Sequence, residues 1–269
     1  MPNSICWRFR EIARGEMHRD PVHVEFFTKG VNDLIREAVQ NALDATPTGR
    51  CTEMVFSVAN DDPRPLPEVY LEGLWPHLEA QGELRDSLPT PGAPMSFVAI
   101  EDFNTRGLRG DVRSDEEDVD NDFFRFWKNI GRSDKRGPSR GRWGLGKTVF
   151  PAVSRISTFF GLTVREDDPN SQSLVMGQAQ LREHRLDPSS RPYDPYGFWA
   201  EFEEVEGGTL QVPVSRPDII NQFRADFRLR RQNEPGLSIV IPYPDESITH
   251  LEITRALLVH YYWPILAGD

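Results

Sequence analysis

Three polar residues, Glu37, Asn41 and Asp44, have the types and the spacing of a catalytic or cation-binding group. They occur in REAVQNALDA at positions i, i+4 and i+7 of a segment whose apolar residues recur with helical periodicity. On a helix these side chains lie within about 60° of one another, at the border of the apolar face. A partly buried glutamate can act as a general base toward water, and an asparagine oxygen suits Mg²⁺. A solvated helix face is the alternative, and the spacing alone favours it.

A second polar group follows an apolar stretch in FVAIEDFNTRGL. Residues 95–100 predict a buried strand, after which Asp102 enters a turn that contains Asn104 and Gly107. A carboxylate at this position can accept a hydrogen bond from an exocyclic amine, and a glycine lets the backbone approach a flat ring. The alternative is an ordinary strand exit, because aspartate is common in turns.

A third group is the glycine-rich stretch GRWGLGKTVF, which precedes a predicted helix. Gly144 and Gly146 permit a close backbone approach, and the free N–H groups at a helix start favour phosphate together with Lys147. A glycine turn with a solvated lysine is the less favoured interpretation. This stretch therefore predicts a phosphate contact.

The same stretch matches the P-loop pattern GxxxxGK[ST] at residues 141–148, which offers a different interpretation. A P-loop follows directly on a buried strand, whereas FWKNIGRSDKRGPSR is basic and is interrupted by Gly137 and Pro138. A P-loop enzyme, which would depend on Lys147 and Thr148, stays open as an alternative. A nucleotide-binding scaffold module that does not hydrolyse ATP is the other one.

The order and spacing of the three motifs resemble the GHKL superfamily of ATPases, which includes gyrase-type topoisomerases, heat-shock chaperone ATPases, MutL proteins and sensor histidine kinases. EAVQNALDA is similar to the N box of that superfamily. The resemblance implies that Glu37 activates water, that Asn41 binds Mg²⁺ and that Asp44 contributes to the nucleotide site. It therefore implies an ATPase with ATP and Mg²⁺ as its ligands.

The two other motifs resemble the glycine boxes of the superfamily. EDFNTRGL is similar to the first, DxGxG, which implies that Asp102 contacts the adenine amino group with Asn104 and Gly107 beside it. Asn104 replaces a glycine there, and one additional residue precedes Gly107. RWGLGKTVF is similar to the second box, and the nucleotide-binding residues that this likeness implies are Gly144, Leu145, Gly146, Lys147 and Thr148.

Two further stretches bear on the same resemblance. IGRSDK is similar to the IGxSxK stretch of chaperone-like and MORC-like members, which implies that Ser133 and Lys135 lie near the nucleotide. Family members often carry Gly-Thr at the start of a late strand, whereas Leu237 follows Gly236 here. The adenine contact on that strand is therefore unassigned, with Ser238 as a candidate substitute.

The elements between the motifs predict an α+β fold, and the resemblance implies a two-layer α/β sandwich of the Bergerat type. A mixed, mostly antiparallel sheet with helices on one face and a mobile ATP lid at about 106–142 is expected. Residues 1–246 form the ATP-binding domain, and residues 247–269 a C-terminal helix that closes this core or leads into a further domain. The predicted helices are 23–46, 66–84 with a break near Pro76, 123–130, 144–155, 219–231 and 248–266. The predicted strands are 54–59, 95–100, 156–164, 174–179, 198–202 and 237–241.

Composition and charge limit the partners. The formal net charge of -11 excludes a surface built to coat nucleic acid, so any DNA contact must be local. Cys6 and Cys51 are interpreted as reduced thiols, and the absence of a signal peptide or membrane-spanning run predicts a cytoplasmic protein without a membrane partner.

The resemblance also implies how ATP would be used. We expect lid closure over ATP to drive dimerisation or domain movement, with a second copy or a partner protein in a larger assembly. By resemblance alone, the chain is expected to be the ATPase module of a larger bacterial protein in a DNA-associated or phage-defence (antiviral) system.

Overall fold

The computed structural model describes residues 5–16, 30–62, 67–82, 88–90, 93–114, 120–129 and 146–267. Its helices are α1 (Val31–Asp44), α2 (Pro67–Leu71), α3 (Trp75–Glu79), α4 (Asp122–Trp127), α5 (Val149–Ala152), α6 (Pro217–Asp226) and α7 (His250–Ala267), with a 3₁₀ turn at Gly146–Thr148. Its strands are β1 (Cys6–Glu11), β2 (Glu53–Asp62), β3 (Met95–Phe103), β4 (Thr158–Val164), β5 (Ser173–Gln180), β6 (Tyr193–Val205), β7 (Gly208–Val212) and β8 (Gly236–Pro242).

These eight strands form one sheet in the order β1-β6-β5-β4-β8-β3-β2, with β7 paired to the last residues of β6. Each strand pair in the described chain is antiparallel, so the predicted α/β architecture with a large, mostly antiparallel sheet is confirmed. Strands β3 and β4 end where β8 begins, and we call this side of the sheet the Asp102 end. Strand β1 ends where β6 begins, with Glu11 opposite Tyr193, and we call this the Arg191 end.

The sheet buries apolar side chains on both faces. In β3, Phe97 and Ala99 join one core cluster while Val98 and Ile100 join the other, as the alternation of a strand requires. Helices α2, α3 and α6 contribute to the first cluster, and α1, α4, α5 and α7 to the second. The prediction of two layers with helices on one face is therefore wrong. A sheet with two apolar faces needs cover on both.

Several predicted boundaries shift for local reasons. The predicted helix 66–84 is broken near Pro76 as expected, into α2 and α3. The helix expected at 144–155 is a 3₁₀ turn followed by the short α5. Strands β1 and β7 were not predicted. Of the predicted lid, residues 106–114 and 120–129 are described, and α4 within them packs Phe123, Phe126 and Trp127 into the core.

Helix α7 begins against the second face of the sheet. Ile253 and Ala256 are buried in the second core cluster, so the first part of α7 closes the core of this domain. The helix is kinked at Tyr261, whose hydroxyl donates to the Arg36 carbonyl oxygen of α1 at 3.1 Å. Among the described helices, none combines the length and the apolar character needed to cross a bilayer.

Candidate functional site

A cleft at the Asp102 end is walled by α1, the turn after β3, α4 and the start of β8. Its lining residues are Asn41, Asp44, Ala45, Asp102, Thr105, Arg106, Gly107, Leu108, Asp122, Phe126 and Leu237. Four predicted site residues, Asn41, Asp44, Asp102 and Gly107, are thus brought together from two separate motifs. The cavity volume of about 60 Å³ corresponds to about four water molecules, so the described walls enclose one end of a ligand rather than a whole nucleotide.

Asp102 is nearly buried, and its two carboxylate oxygens differ. Oδ1 accepts hydrogen bonds from the Thr105 hydroxyl at 2.6 Å and from the Leu237 amide at 2.8 Å. Burial raises the pKa of Asp102, while the Arg231 guanidinium and these hydrogen bonds oppose that rise. No described residue donates a hydrogen bond to Oδ2. Since Asp102 lines the cleft, Oδ2 is the oxygen that a ligand in it can reach.

A buried charge network lies behind Asp102. The Arg231 side chain is 0% exposed. Its Nε donates to the Ser238 hydroxyl at 2.9 Å, and its Nη2 donates to the backbone carbonyls of Asp102 and Leu237. The Ser238 hydroxyl in turn donates to Glu101 Oε2 at 2.8 Å. Ser238 is thereby directed away from the cleft, and the backbone amide of Leu237 makes the contact to Asp102 instead.

The turn after β3 depends on two residues with φ of 65°, Asn104 and Gly107. A Cβ added to Gly107 would lie 2.1 Å from the Val164 carbonyl oxygen, so only glycine fits there. Asn104 does not line the cleft, because its amide nitrogen donates to the Cys51 carbonyl oxygen at 2.9 Å. The structure thus gives Asn104 a role in shaping the turn.

Arg106 joins this turn to the end of α1. Its Nη2 donates to the Asp44 carbonyl oxygen at 2.8 Å, and its backbone amide donates to the Ala45 carbonyl oxygen at 2.9 Å. Carbonyls at a helix C-terminus have no partner within the helix, so Arg106 satisfies two of them. The two walls of the cleft are therefore fixed relative to each other.

The polar stripe of α1 lies at the border of the buried face, as predicted. Glu37 and Asn41 are half-buried and Asp44 is exposed. Glu37 lies one turn before Asn41, outside the cleft lining, with Oε1 at 3.8 Å from Arg36 Nε. Asp44 Oδ1 accepts a hydrogen bond from the Gln40 amide at 3.0 Å.

Lys147 is buried and holds the end of α4. Its Nζ donates to the carbonyl oxygens of Arg125, Phe126 and Asn129 at 2.9, 2.5 and 2.9 Å. Burial lowers its pKa to about 7. This geometry argues against the predicted phosphate contact of Lys147 and against the P-loop alternative, both of which need a free ammonium.

The remaining residues of the glycine-rich motif have different outcomes. Thr148 is 2% exposed and does not line the cleft, and Gly146 begins the 3₁₀ turn. Ser133, Lys135, Gly144 and Leu145 lie outside the described residues, so their predicted roles stay predictions.

The groups that hold Asp102 were not predicted. A threonine three residues after an aspartate in a turn is a recognisable signal for a side-chain hydrogen bond, so Thr105 could have been found. The Leu237 amide has no signal in the sequence because any residue supplies it. Arg231 lies in RLRRQ, which is typical of a solvated surface.

The described residues contain no group of three or more His, Cys, Asp or Glu side chains placed to hold a metal ion. Mg²⁺ that accompanies a nucleotide takes most of its ligands from phosphates and water and needs one or two protein oxygens. The Asn41 side chain in the cleft wall fits that requirement.

Comparison with known proteins adds no assignment. No protein-family model matches the sequence, and no curated protein matches it.

Proposed function

We propose that the cleft at the Asp102 end binds the adenine of ATP and that the chain is a Mg²⁺-dependent ATPase with a GHKL-type site. The observation that carries the proposal is the asymmetry of Asp102. Two donors hold Oδ1, and Oδ2 is left for a ligand in a cleft shared with Asn41, Asp44 and Gly107.

An acceptor at Oδ2 favours adenine over guanine. Adenine presents an amino group at the position where guanine presents a carbonyl oxygen. The amino group can donate to the carboxylate, whereas the carbonyl oxygen would face it with like partial charge. The burial of Asp102 strengthens this selection, because an unmatched polar contact costs more in a dry site.

The polar stripe of α1, formed by Glu37, Asn41 and Asp44, would extend from the adenine base toward the phosphates of ATP. A rise of 1.5 Å per residue puts Asp44 and Glu37 about 10 Å apart along the helix axis. Asp44 is at the base end of the cleft, Asn41 is next, and Glu37 is farthest from Asp102. Asn41 would hold Mg²⁺, which when bound neutralises charge on the phosphates. Glu37 would take the proton of the attacking water.

Contacts of α7 with α1 support a use of ATP in movement. Tyr261 of α7 bonds the carbonyl of Arg36, the residue before Glu37, and His260 Nε2 lies 3.3 Å from Asn32 Oδ1. A shift of α1 on nucleotide binding would therefore move α7. We propose that this movement, with closure of the ATP lid expected at about 106–142, drives dimerisation or domain movement in a DNA-associated or antiviral assembly.

Adenine recognition is tested by calorimetric titration of Asp102→Asn with Mg-ATP. Thr105 and Leu237 both donate to the Oδ1 position, so the new amide nitrogen takes the Oδ2 position and faces the adenine amino group as a second donor. We expect ATP to bind about 10- to 100-fold more weakly, as for loss of a hydrogen bond to a charged group. The control Asp122→Asn removes the same charge from the same cleft, and we expect it to bind ATP within a few-fold of the parent. Equal affinities of Asp102→Asn and the parent would refute the adenine site.

Hydrolysis is tested separately with Glu37→Gln. We expect phosphate release to fall at least about 100-fold with ATP affinity retained, because loss of a general base slows the chemical step alone. Unchanged release by Glu37→Gln would favour the P-loop alternative. A parent protein that binds ATP and releases no phosphate would be a non-hydrolysing module.

A further inference from the structure

A second cleft lies at the Arg191 end of the sheet, between residues 12–15 and residues 185–192. Its cavity volume is about 420 Å³, and its polar lining residues are Arg14, Arg185, Ser189, Ser190 and Arg191. The chain as a whole carries a formal net charge of -11. The three arginines that line this cavity therefore form a local positive site on an acidic protein. We call this cavity the arginine cleft.

Two carboxylates near the arginine cleft, Glu16 and Asp187, are already engaged. Glu16 pairs with Arg10 at 3.4 Å, and Asp187 accepts from the amide and hydroxyl of Ser189. Neither Arg14 nor Arg191 forms an ion pair with any residue that the structure describes. Their positive charge is therefore available to a ligand.

The two walls of the arginine cleft are joined by the sheet. The Ile12 amide donates to the Pro192 carbonyl oxygen at 2.8 Å, and both residues are buried. Below them, His184 Nδ1 lies 2.8 Å from the Arg182 carbonyl oxygen and His184 Nε2 lies 2.7 Å from His77 Nδ1. A carbonyl only accepts, so His184 Nδ1 carries a proton and Nε2 accepts from His77. The segment that bears Arg185 and Arg191 is thus anchored to α3.

Arg185 is partly oriented by its own wall, since its Nη1 donates to the Ser190 carbonyl oxygen. A guanidinium has five N–H donors in a planar fork, so the other donors stay available for an oxyanion. Ser189 and Ser190 lie in the same lining, and their hydroxyl groups donate to the side chain and the carbonyl oxygen of Asp187, which stabilises this wall. Guanidinium donors around an open cavity match the oxygens of a phosphate group.

We propose that the arginine cleft binds the phosphate backbone of a nucleic-acid duplex. The lining residues among those described include no aromatic ring, and single-strand binders rely on aromatic stacking. Arginine contacts to phosphate oxygens hold a duplex by its backbone charge and do not depend on its sequence. The arginine cleft lies opposite the proposed ATP site, so it can hold a duplex without blocking that site.

The test is fluorescence anisotropy with a labelled 20-base-pair DNA duplex at roughly 50 mM salt and without nucleotide, a condition in which backbone contacts dominate. The variant Arg14→Gln/Arg191→Gln removes two charges from the arginine cleft. We expect this variant to bind the duplex at least about tenfold more weakly than the parent. We also expect the slope of log K against log salt concentration to be less steep by about 1.8, because each phosphate contact contributes about 0.9.

The control Arg216→Gln/Arg255→Gln removes the same charge from an ion pair at the start of α6 and from one on α7, and we expect it to bind the duplex like the parent. Asp102→Asn is also expected to bind it normally, which separates this site from the proposed function. The proposal is overturned if the parent does not bind the duplex or if both double variants weaken binding equally. Binding of inorganic phosphate, but not of the duplex, at the arginine cleft would overturn the backbone assignment in favour of a small-anion site.

Discussion

The two ends of the sheet hold charged groups in opposite ways. At the Asp102 end, Arg231 is fully buried and its donors are used by the protein itself. At the Arg191 end, Arg14 and Arg191 are exposed and unpaired with any described residue. A buried network can orient one oxygen for one ligand atom, but it belongs to the core. Exposed arginines can attract a polyanion without contributing to the core. Substitutions in the network at the Asp102 end should therefore change both ligand binding and stability. Substitutions of the arginines at the Arg191 end should change ligand binding alone.

The largest expected effect is that of Arg231→Met. It leaves Glu101 and Asp102 buried without their cation, and we expect the free energy of unfolding to fall by roughly 3–5 kcal/mol. Urea denaturation measures it. Arg191→Met is the matched change at the other end, where we expect a difference within about 0.5 kcal/mol. Similar losses of stability for Arg231→Met and Arg191→Met would contradict the difference between the two ends of the sheet.

Two glycines with positive φ give the next test. In Gly107→Ala the Cβ would lie 2.1 Å from the Val164 carbonyl oxygen, whereas at Gly15 no heavy atom lies within 4 Å of an added Cβ. We expect Gly107→Ala to lower the free energy of unfolding by about 3 kcal/mol, from backbone strain and overlap, and Gly15→Ala by about 1 kcal/mol from strain alone. Thermal unfolding of both variants measures the difference. Equal losses would show that the turn after β3 adapts freely.

As the pH falls, a group at each end of the sheet changes the stability of the fold in opposite directions. Burial lowers the pKa of His77 to about 4, so below pH 6.5 the unfolded chain binds the proton first. Stability from this group is present above pH 6.5 and is lost as the pH falls toward 4, by about 2 kcal/mol between pH 6.5 and 5. The raised pKa of Asp102 acts in the opposite direction. Urea denaturation across this range should show a shallower loss for His77→Gln. An identical slope for parent and variant would contradict the histidine assignment.

The smallest effect concerns two hydroxyl groups. Thr105→Val removes the hydrogen bond to Asp102 Oδ1, and we expect a loss of about 1 kcal/mol because the acceptor is buried. Ser189→Ala removes an exposed hydroxyl at the arginine cleft, and we expect a change within about 0.5 kcal/mol. Chemical denaturation compares them. A larger loss of stability for Ser189→Ala than for Thr105→Val would contradict the difference between the two ends of the sheet.

Periodicity and motif spacing predicted the parts of the molecule that repeat a local pattern. The apolar residues of α1 and β3 indicated both elements, and the resemblance of the motifs to the GHKL superfamily implied that Asn41, Asp44, Asp102 and Gly107 share a site. These residues line one cleft. Local patterns are informative here because α1 buries one regular face and β3 is a continuous apolar run buried on both faces.

The rest depends on contacts between distant residues. The sequence does not show that Lys147 reaches the carbonyls of α4 instead of a phosphate, because that choice is made by packing. The same holds for Arg231, whose surroundings RLRRQ suggest solvent. Cover on the face of the sheet that carries the first core cluster was missed because the short helices α2 and α3 have too few residues to reveal which face they cover.

The position of Lys147 joins two parts of the described chain that are distant in sequence. Its ammonium bonds the carbonyl oxygens of Arg125, Phe126 and Asn129, so the end of α4 and the 3₁₀ turn at Gly146–Thr148 share one buried group. Joining two points of a chain carries a loop-closure entropy that grows slowly with the number of residues between them. Here that entropy is offset when the core forms, before any ligand arrives. The binding energy of a ligand is therefore not needed to bring α4 and the 3₁₀ turn together.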